Sequence, residues 1–405
     1  MTNGAGAVDG RSIRNQAVIV GIGNTEYSSA SGRSELRLAL EACMAALDDA
    51  GVERKQVDGL VRFGVSQTGA SEAWMAVNLG LPNLRYWGAV DFGGSGSTSL
   101  VVHAAAAVAS GLASYVLCYR SVNGRSGLRP GTSDTYERLL RGADPSFDNY
   151  AVPYGFTAPN QGYAMIARRH MHEYGTTLDD LGAVAVQTRD NANRYPGAQM
   201  YGKPLTLDSY YEAPYISDPL RRFDCCLQTD GAAAVLVTTP ERAKDLKWPA
   251  VHIAGAVQAT NVDLQGALMS SVGQADVLHT AGYAAASDLY AQTGLRPGDV
   301  DVAQLYDCFT ITTLLQLEAY GFCNRGESGP FVTGGGISPE GGSIPINTDG
   351  GNLSAGYIHG VNHILEGTRQ IRGTSTSQVR NAETCLVTAG LPTPTSALML
   401  TKEPL

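Results

Sequence analysis

Apolar positions recur with helical spacing in two long, Ala-rich stretches of the chain, at 34–50 and 277–292. The first stretch ends at Gly51 and the second at Gly294. A glycine directly after the last apolar position is typical of a helix that ends in a left-handed C-cap. Each stretch leads into a segment of similar sequence that ends in a short strand, 49–64 in the first case and 292–307 in the second. This similarity predicts an internal duplication.

The same further elements flank both helical stretches. Apolar strands precede them at 16–28 and 250–261, and glycine-rich loops follow them at 91–99 and 347–357, each opening a helix that leads to a strand. Strands that alternate with helices are typical of mainly parallel sheets covered by helices on both faces. We predict an α/β protein built from two duplicated βαβ halves that stack as layers.

The stretch 121–220 interrupts this pattern. It is rich in Gly, Pro, Tyr and Asn, with a helical run at 160–173 and a second helix that begins at Thr177. An inserted loop domain explains this best, and insertions of this kind often cover a substrate site. The predicted units are an N-terminal half (1–120), the inserted loop domain (121–220), a last strand of the N-terminal half with its connection (221–249) and a C-terminal half (250–405).

The composition narrows the class of protein. Of 405 residues, 43% are hydrophobic and 17% are charged, and the net charge is −9. A nucleic-acid partner is not expected, because it would need clustered Lys and Arg. No run approaches the roughly 20 apolar residues of a membrane span, and the opening residues lack the apolar run of a signal peptide. We expect a cytoplasmic protein that forms oligomers.

The seven cysteines favour neither disulfides nor a metal site. Their number is odd, and no repeated C-x-x-C pairs or histidines at zinc-ligand spacing accompany them. We expect most of them to be small buried side chains.

Four motifs resemble the thiolase superfamily, in its sterol-carrier or lipid-transfer-protein-like branch. They are ARRHMHEYGTT (167–177), QTDGAAAVLV (228–237), YDCFT (306–310) and GGNLSAGYIHG (350–360). The resemblance covers nearly the whole chain. It implies a thiolase fold with a layered αβαβα core and an acyl-CoA thioester as substrate, with no permanently bound cofactor.

The departures from the thiolase pattern are specific. Thiolases need a nucleophilic cysteine in the first glycine-rich loop, but this chain has no cysteine between Cys43 and Cys118. Thr388 stands near the expected second cysteine, while Cys385 lies inside the preceding strand and is expected to be structural. The family's catalytic histidine falls on Tyr357, and the first residue of its HDCFT-type motif falls on Tyr306.

This coordinated exchange favours carbon–carbon cleavage without an acyl-enzyme. If the departing fragment is a ketone, a retro-aldol reaction needs only a base, an enolate site and an acid. The two tyrosines resemble those of the thiolase-like aldolases of actinobacterial steroid degradation. That resemblance implies cleavage of a 17-hydroxy-3-oxo-pregnene-20-carboxyl-CoA to androstenedione and propionyl-CoA. We assign Tyr306 as base and Tyr357 as acid at the enolate, and the reverse assignment stays open.

Further residues have supporting roles in this hypothesis. His359 could orient a tyrosine or the thioester, Asp307 could orient the Tyr306 loop, and Asn352 and Gly351 could approach the pantetheine or an oxyanion. We interpret His103 and His363 as packing residues. The candidate cations for the CoA phosphates are Arg168, Arg169, Arg221 and Arg222.

Two other functions stay open. One is a catalytically silent thiolase-like subunit that binds lipid or acyl-CoA, and the other is a Claisen-type acyltransferase with an unusual nucleophile such as Ser95 or Ser97. The resemblance also implies a homodimer and a separate OB-fold and zinc-ribbon partner chain, together a heterotetramer.

Overall fold

The computed structural model describes residues 13–64, 69–91, 93–127, 152–260, 275–392 and 394–405. Phe92 of the first glycine-rich loop and residues 128–151 of the predicted insertion lie outside the described residues. None of the helices described is long and apolar enough to cross a membrane.

The strands form one large mixed sheet and one small hairpin. They are β1 Val18–Asn24, β2 Gly59–Phe63, β3 Tyr86–Val90, β4 Tyr115–Asn123, β5 Tyr215–Ser217, β6 Leu220–Arg221, β7 Asp230–Thr238, β8 Val251–Ala259, β9 Val302–Gln304, β10 Thr384–Thr388 and β11 Thr395–Thr401. The large sheet has the order β3-β2-β4-β7-β1-β8-β11-β10-β9, and β5 pairs with β6.

The helices lie on and between the strands. They are α1 Glu35–Ala50, α2 Glu72–Leu79, α3 Gly96–Ala109, α4 Pro159–Tyr174, α5 Leu178–Ala192, α6 Leu207–Glu212, α7 Pro240–Ala243, α8 Gly282–Thr293, α9 Thr310–Ala319, α10 Ser328–Thr333 and α11 Val361–Arg372. A single π-helical turn, Gly351–Ala355, precedes α11.

The predicted duplication is visible in the strand order. The N-terminal half contributes β3-β2-β4-β7-β1, and the C-terminal half repeats the order of the last four of these strands as β9-β10-β11-β8. The two halves meet where β1 pairs antiparallel with β8, through Val18 with His252 and Ile19 with Val251. Each half therefore supplies a half-sheet of the same design.

Helices and half-sheets alternate as five layers. Helix α1 packs on β1, β4 and β7 of the first half, and α8 packs on β8 and β11 of the second. Helices α3 and α11 each contact strands of both halves, so they form the middle layer. Leu100 of α3 and Ile364 of α11 belong to the same buried cluster as strand residues of both halves. The layered αβαβα core is confirmed.

Local signals explain where the repeated helices end. Ser34 Oγ accepts a hydrogen bond from the backbone N–H of Arg37 at the start of α1, and Gly51 ends the helix with φ 72°. Gly294 ends α8 in the same way, with φ 78°. The start of the second helix was predicted too early, since α8 begins at Gly282 rather than near 277.

The described part of the insertion packs against the glycine-rich segment 347–357 of the C-terminal half and forms hydrogen bonds with it. Helix α5 begins at the predicted cap Thr177 and packs on the π-helical turn. The Asn191 side-chain amide donates to the carbonyl oxygens of Ile346 and Asn347, at 3.0 and 3.1 Å. These contacts fix the backbone that leads to Tyr357, whereas the domain boundaries themselves stay a prediction.

Candidate functional site

Tyr306 is held at the end of β9 by hydrogen bonds to its backbone. Its N–H donates to Thr388 Oγ1 at 3.0 Å, and its carbonyl oxygen accepts from Gln316 Nε2 at 2.6 Å and Thr312 Oγ1 at 3.0 Å. The Thr388 hydroxyl also bonds to Gln316 Oε1. The side chain of Tyr306 is 1% exposed. Thr388, near where thiolases carry their second cysteine, thus positions a tyrosine.

Tyr357 reaches the same place from the opposite segment. It follows the π-helical turn, and its backbone N–H donates to Thr229 Oγ1 at 2.9 Å. Its phenol oxygen lies 2.8 Å from that of Tyr306, with the ring planes inclined at 67°. The side chain is half-buried. The two tyrosines named as catalytic candidates are therefore direct hydrogen-bond partners.

Both phenols are neutral at ordinary pH. Burial raises the pKa of Tyr306 well above the usual value, and the neighbouring Tyr357 raises it further. Burial likewise raises the pKa of Tyr357, with Cys226 and Cys308 adding to the effect. Removal from water disfavours a phenolate. The pair consequently holds two hydroxyl protons, one of which lies in the hydrogen bond between the phenols.

Glycines allow the Tyr306 ring to lie against backbone of both halves. A β-carbon at Gly94 would lie 2.3 Å from Tyr306 Oη, and one at Gly360 would lie 2.6 Å from Tyr306 Cδ2. The Gly390 N–H donates to the Gly94 carbonyl oxygen at 3.1 Å, so a third glycine holds the first loop in place. Both glycine-rich loops predicted from sequence thus converge on the tyrosine.

Asp307 ties the Tyr306 segment to the Tyr357 segment. Its carboxylate accepts from the backbone N–H groups of Asn352 and Leu353, at 2.8 and 3.3 Å. His363 Nε2 lies 3.0 Å from Asp307 Oδ1, and both side chains are wholly buried. His363 is buried, as expected of a packing residue, and it also bonds to Asp307. His103 is exposed on α3, so the interpretation of that residue as a packing residue is wrong.

Gly351 and Asn352 belong to this junction. Gly351 has φ 58°, and a β-carbon there would lie 2.3 Å from Asp307 Oδ2. Both polar atoms of the Asn352 side chain are buried without a hydrogen-bond partner in the part of the chain that the structure describes. Buried amides are almost always paired, so Asn352 has unused donor and acceptor capacity near the loop.

His359 stands beside Tyr357 and contacts a residue that sequence analysis did not single out. Its ring centroid is 4.5 Å from that of Tyr357, and its Nδ1 is 3.4 Å from a guanidinium nitrogen of Arg120. Its backbone has φ 51°, which is rare outside glycine. Arg120 ends the predicted strand ASYVLCYR, and a cation adjoining a buried apolar run was the available signal.

Comparison with known proteins decides the family. Residues 266–400 match the family model described as "Thiolase C-terminal domain-like". The chain is 46% identical to the 17-hydroxy-3-oxo-4-pregnene-20-carboxyl-CoA lyase of Mycobacterium tuberculosis, over 95% of this chain and 99% of the relative. It is 44% identical to the steroid side-chain-cleaving aldolase of Thermomonospora curvata, over 95% and 97% of the two chains.

The chain belongs to the thiolase-like family of steroid side-chain-cleaving aldolases. A solved structure described as the Ltp2-ChsH2(DUF35) aldolase superposes with a TM-score of 0.89 and 42% identity, covering 96% of this chain and 98% of that chain. The family resemblance predicted from the motifs is confirmed, and with it the thiolase fold.

In this aldolase-family chain the candidate arginines contact residues other than the two tyrosines. Arg168 pairs with Asp218 at 2.5 Å, and Arg169 pairs with Glu173 one turn along α4. The remaining two lie at the end of the β5–β6 hairpin: Arg221, the last residue of β6, donates to backbone carbonyls and stacks on Tyr215, and Arg222 directly after it is exposed. Among the described residues, none of them hydrogen-bonds to Tyr306 or Tyr357.

Ser97, Cys308 and Cys385 of this aldolase-family chain are all buried. Ser97 is wholly buried, and its hydroxyl donates to the Gly94 carbonyl oxygen at 3.3 Å. Cys308 is buried, which raises the pKa of its thiol to about 12, and Cys385 is buried within β10. All seven cysteines are free thiols. No His, Cys, Asp and Glu cluster suited to a metal ion occurs in the described ranges.

Proposed function

We propose that this chain is a carbon–carbon lyase that cleaves the side chain of a steroid β-hydroxyacyl-CoA by a retro-aldol reaction. The substrate we propose is 17-hydroxy-3-oxo-4-pregnene-20-carboxyl-CoA, after the relative of that name, and the products are androstenedione and propionyl-CoA. The observation that carries the proposal is the 2.8 Å hydrogen bond between the phenols of Tyr306 and Tyr357.

The proposed reaction is a proton relay between two neutral phenols. Tyr306 accepts the proton of the substrate hydroxyl while its own proton passes to Tyr357. The bond between the carbinol carbon and the α-carbon breaks, the carbinol becomes a ketone, and the electron pair forms the thioester enolate. In the same concerted step Tyr357 gives its own proton to the α-carbon as it receives the proton of Tyr306, so neither phenol carries two protons. Both phenols end neutral, and one proton has moved from oxygen to carbon.

The enolate needs hydrogen-bond donors aimed at the thioester oxygen. His359 stands beside Tyr357, and Asn352 has an unpaired amide near the loop that carries it. We propose these two residues as donors to the thioester or the pantetheine. Asp307 and Gly351 support them by fixing the loop, since Asp307 accepts from the Asn352 N–H and a side chain at 351 would collide with it.

The CoA thioester enters as substrate, without a permanently bound cofactor in the proposed reaction. Arg168, Arg169, Arg221 and Arg222 remain the proposed cations for its phosphates. Arg222 fits best, because it is exposed, whereas Arg168 and Arg169 already have carboxylate partners.

We further propose a homodimer that assembles with a separate DUF35-type chain of OB-fold and zinc-ribbon character. The similar solved aldolase, described as Ltp2-ChsH2(DUF35), supports the second chain. The homodimer is supported by the edge strand β3, on which Trp87 is 65% exposed. A cytoplasmic location is consistent with seven free thiols, since reducing compartments keep cysteines in that state.

The test is incubation of the protein, with and without its DUF35-type partner, with the 17-hydroxy steroid CoA thioester. We expect a 17-ketosteroid and propionyl-CoA in equal amounts, and a loss of roughly 100-fold or more in Tyr306→Phe and Tyr357→Phe. A matched control is Tyr290→Phe, which removes only a hydroxyl that bonds to the Tyr320 carbonyl oxygen.

Other outcomes would identify the alternatives. Binding of the thioester without cleavage, unaffected by either tyrosine variant, would indicate a silent acyl-CoA-binding subunit. A covalent acyl-enzyme in the intact mass would indicate a Claisen-type acyltransferase.

A further inference from the structure

Arg120 places a positive charge deep in the middle of the fold, next to the tyrosine pair. It lies on β4 and its side chain is 0% exposed. One guanidinium nitrogen donates to the Phe63 carbonyl oxygen at 3.1 Å, and the guanidinium carbon lies 5.3 Å from the centroid of the Phe63 ring. Burial lowers the pKa of Arg120 to about 10, so the group remains charged at neutral pH. Its position is fixed and its charge is permanent.

The contact between Arg120 and His359 defines a tautomer. A guanidinium nitrogen of Arg120 lies 3.4 Å from His359 Nδ1. Arginine carries donors only, so Nδ1 must be the acceptor in this contact. Burial and the charge of Arg120 both lower the pKa of His359 well below its usual value, so the imidazole is neutral. A neutral imidazole that accepts at Nδ1 carries its hydrogen on Nε2.

The Nε2 atom of His359 has no hydrogen-bond partner among the described residues. The side chain is half-buried, and its hydrogen-bond contact in the described part of the chain is the one from Nδ1 to Arg120. The ring packs edge-on against Phe63 at 5.8 Å and beside Tyr357 at 4.5 Å, between centroids. The backbone at His359 has φ 51°, a conformation that is retained in non-glycine residues mostly where the surroundings impose it. The imidazole is therefore held in place from two sides.

We propose that Arg120 is a positioning residue that holds His359 in the Nε2–H tautomer, and that His359 donates this hydrogen to the thioester oxygen as the enolate forms. The second part rests on the proposed aldol cleavage. A cation at Nδ1 also polarises the ring and strengthens the donor at Nε2. The chain thus supplies a charge-assisted donor without placing an ionisable imidazolium beside the phenols.

The tautomer can be tested without turnover. The measurement is the ¹⁵N NMR spectrum of the full chain labelled at histidine, with the His359 signals identified by their loss in His359→Gln. We expect Nε2–H in the wild type and a tautomer mixture in Arg120→Met, with Arg120→Lys close to wild type. A matched control is Arg372→Met, which removes another buried arginine that bonds Asp49 and the Val20 carbonyl oxygen away from the site.

Turnover tests the role of the donor. We expect Arg120→Met to lower kcat roughly 100-fold with KM changed only a few-fold, and Arg120→Lys to recover part of the loss. Added guanidinium ion should restore turnover in Arg120→Ala and leave the turnover of Arg372→Ala unchanged. His359→Gln, which keeps a donor at the Nε2 position, should retain more activity than His359→Phe.

The outcomes are separable. Identical His359 tautomers in wild type and Arg120→Met would overturn the proposal, as would equal activity of His359→Phe and wild type. If the wild type shows the Nε2–H tautomer but cleaves no steroid thioester, the proposed function fails while the Arg120–His359 relationship is upheld.

Discussion

Gly94 of the first glycine-rich loop packs directly on the phenol of Tyr306, so that a β-carbon at position 94 would lie 2.3 Å from Tyr306 Oη. The two residues come from different halves of the duplicated fold. The loop that would carry the nucleophile of a thiolase therefore lies against a tyrosine in this chain. The loop without the cysteine and the Tyr306 phenol are thus in direct contact, and the close approach requires a glycine at position 94.

Gly94→Ala should consequently displace the Tyr306 phenol. We expect activity to fall roughly 100-fold, because misplacement of a reacting group by about 1 Å has an effect of that size. The free energy of unfolding should fall by about 1–3 kcal/mol, typical of overpacking. Steady-state kinetics and chemical denaturation measure the two effects.

The matched control for this substitution is Gly298→Ala. A β-carbon at Gly298 would meet nothing within 4 Å, so both measurements should stay near wild type. Full activity in Gly94→Ala would show that the phenol tolerates displacement and would contradict its place in the relay.

Local patterns predicted much of the fold. Helices α1 and α8 end at their predicted glycines, and α5 begins at Thr177, because caps and apolar spacing are encoded within a few residues. The π-helical turn before Tyr357 was not predicted, since it depends on contacts with α5 and Asp307. Periodicity contains no information about such contacts.

The residues of the candidate site were named from resemblance, and their contacts were only partly predictable. Tyr306 and Tyr357 were singled out by resemblance, whereas Arg120 and His359 are 239 positions apart and meet only in the folded chain. The bond between His363 and Asp307 was not predicted, because the two residues lie on different segments. A local signal marks Arg120 as an unusual cation beside an apolar run, but the identity of its partner is not encoded near it in the sequence.

The raised pKa values of the tyrosine pair predict a flat pH profile. The relay uses neutral phenols, and that form is present at every pH below the raised pKa values of Tyr306 and Tyr357. We expect kcat to vary less than about threefold from about pH 6 to about pH 9, where an ordinary phenol is also still neutral. Single-turnover rates in overlapping buffers measure this.

A mechanism that needs a phenolate predicts a rate that rises with pH instead of a flat profile. Each pH unit below the pKa would lower the fraction of phenolate tenfold, so the rate would rise tenfold per unit throughout this range. Such a slope would exclude the neutral relay. Product release can be separated from chemistry by comparing single-turnover with steady-state rates.

Asp307→Asn should loosen the junction between the two tyrosine segments. An asparagine can accept at one oxygen only, and its NH₂ group would face backbone N–H donors at Asn352 or Leu353. Hydrogen bonds to charged groups contribute about 1.5–3 kcal/mol, so we expect unfolding to become easier by about 2–4 kcal/mol and kcat to fall at least roughly tenfold.

The control for that variant is Asp288→Asn on the exposed face of α8, which should change neither quantity. A positioning role also predicts that thioester binding persists while turnover is lost. If Asp307→Asn were less stable but turned over as fast as wild type, the carboxylate would be structural only.

The edge strand β3 predicts where two copies of the chain meet. Trp87 is 65% exposed on β3, the outermost strand of the large sheet, and an unpaired edge with a large aromatic side chain favours pairing with another strand. Trp87→Glu should convert a dimer into a monomer of 42.6 kDa in sedimentation experiments, because a charge at the core of an interface is strongly disfavoured.

Trp74→Glu is the matched control, since Trp74 is 63% exposed on α2 and not on the edge strand. Dissociation by the Trp74 variant alone would move the interface to α2, and a wild-type chain that sediments as a monomer would contradict the predicted homodimer.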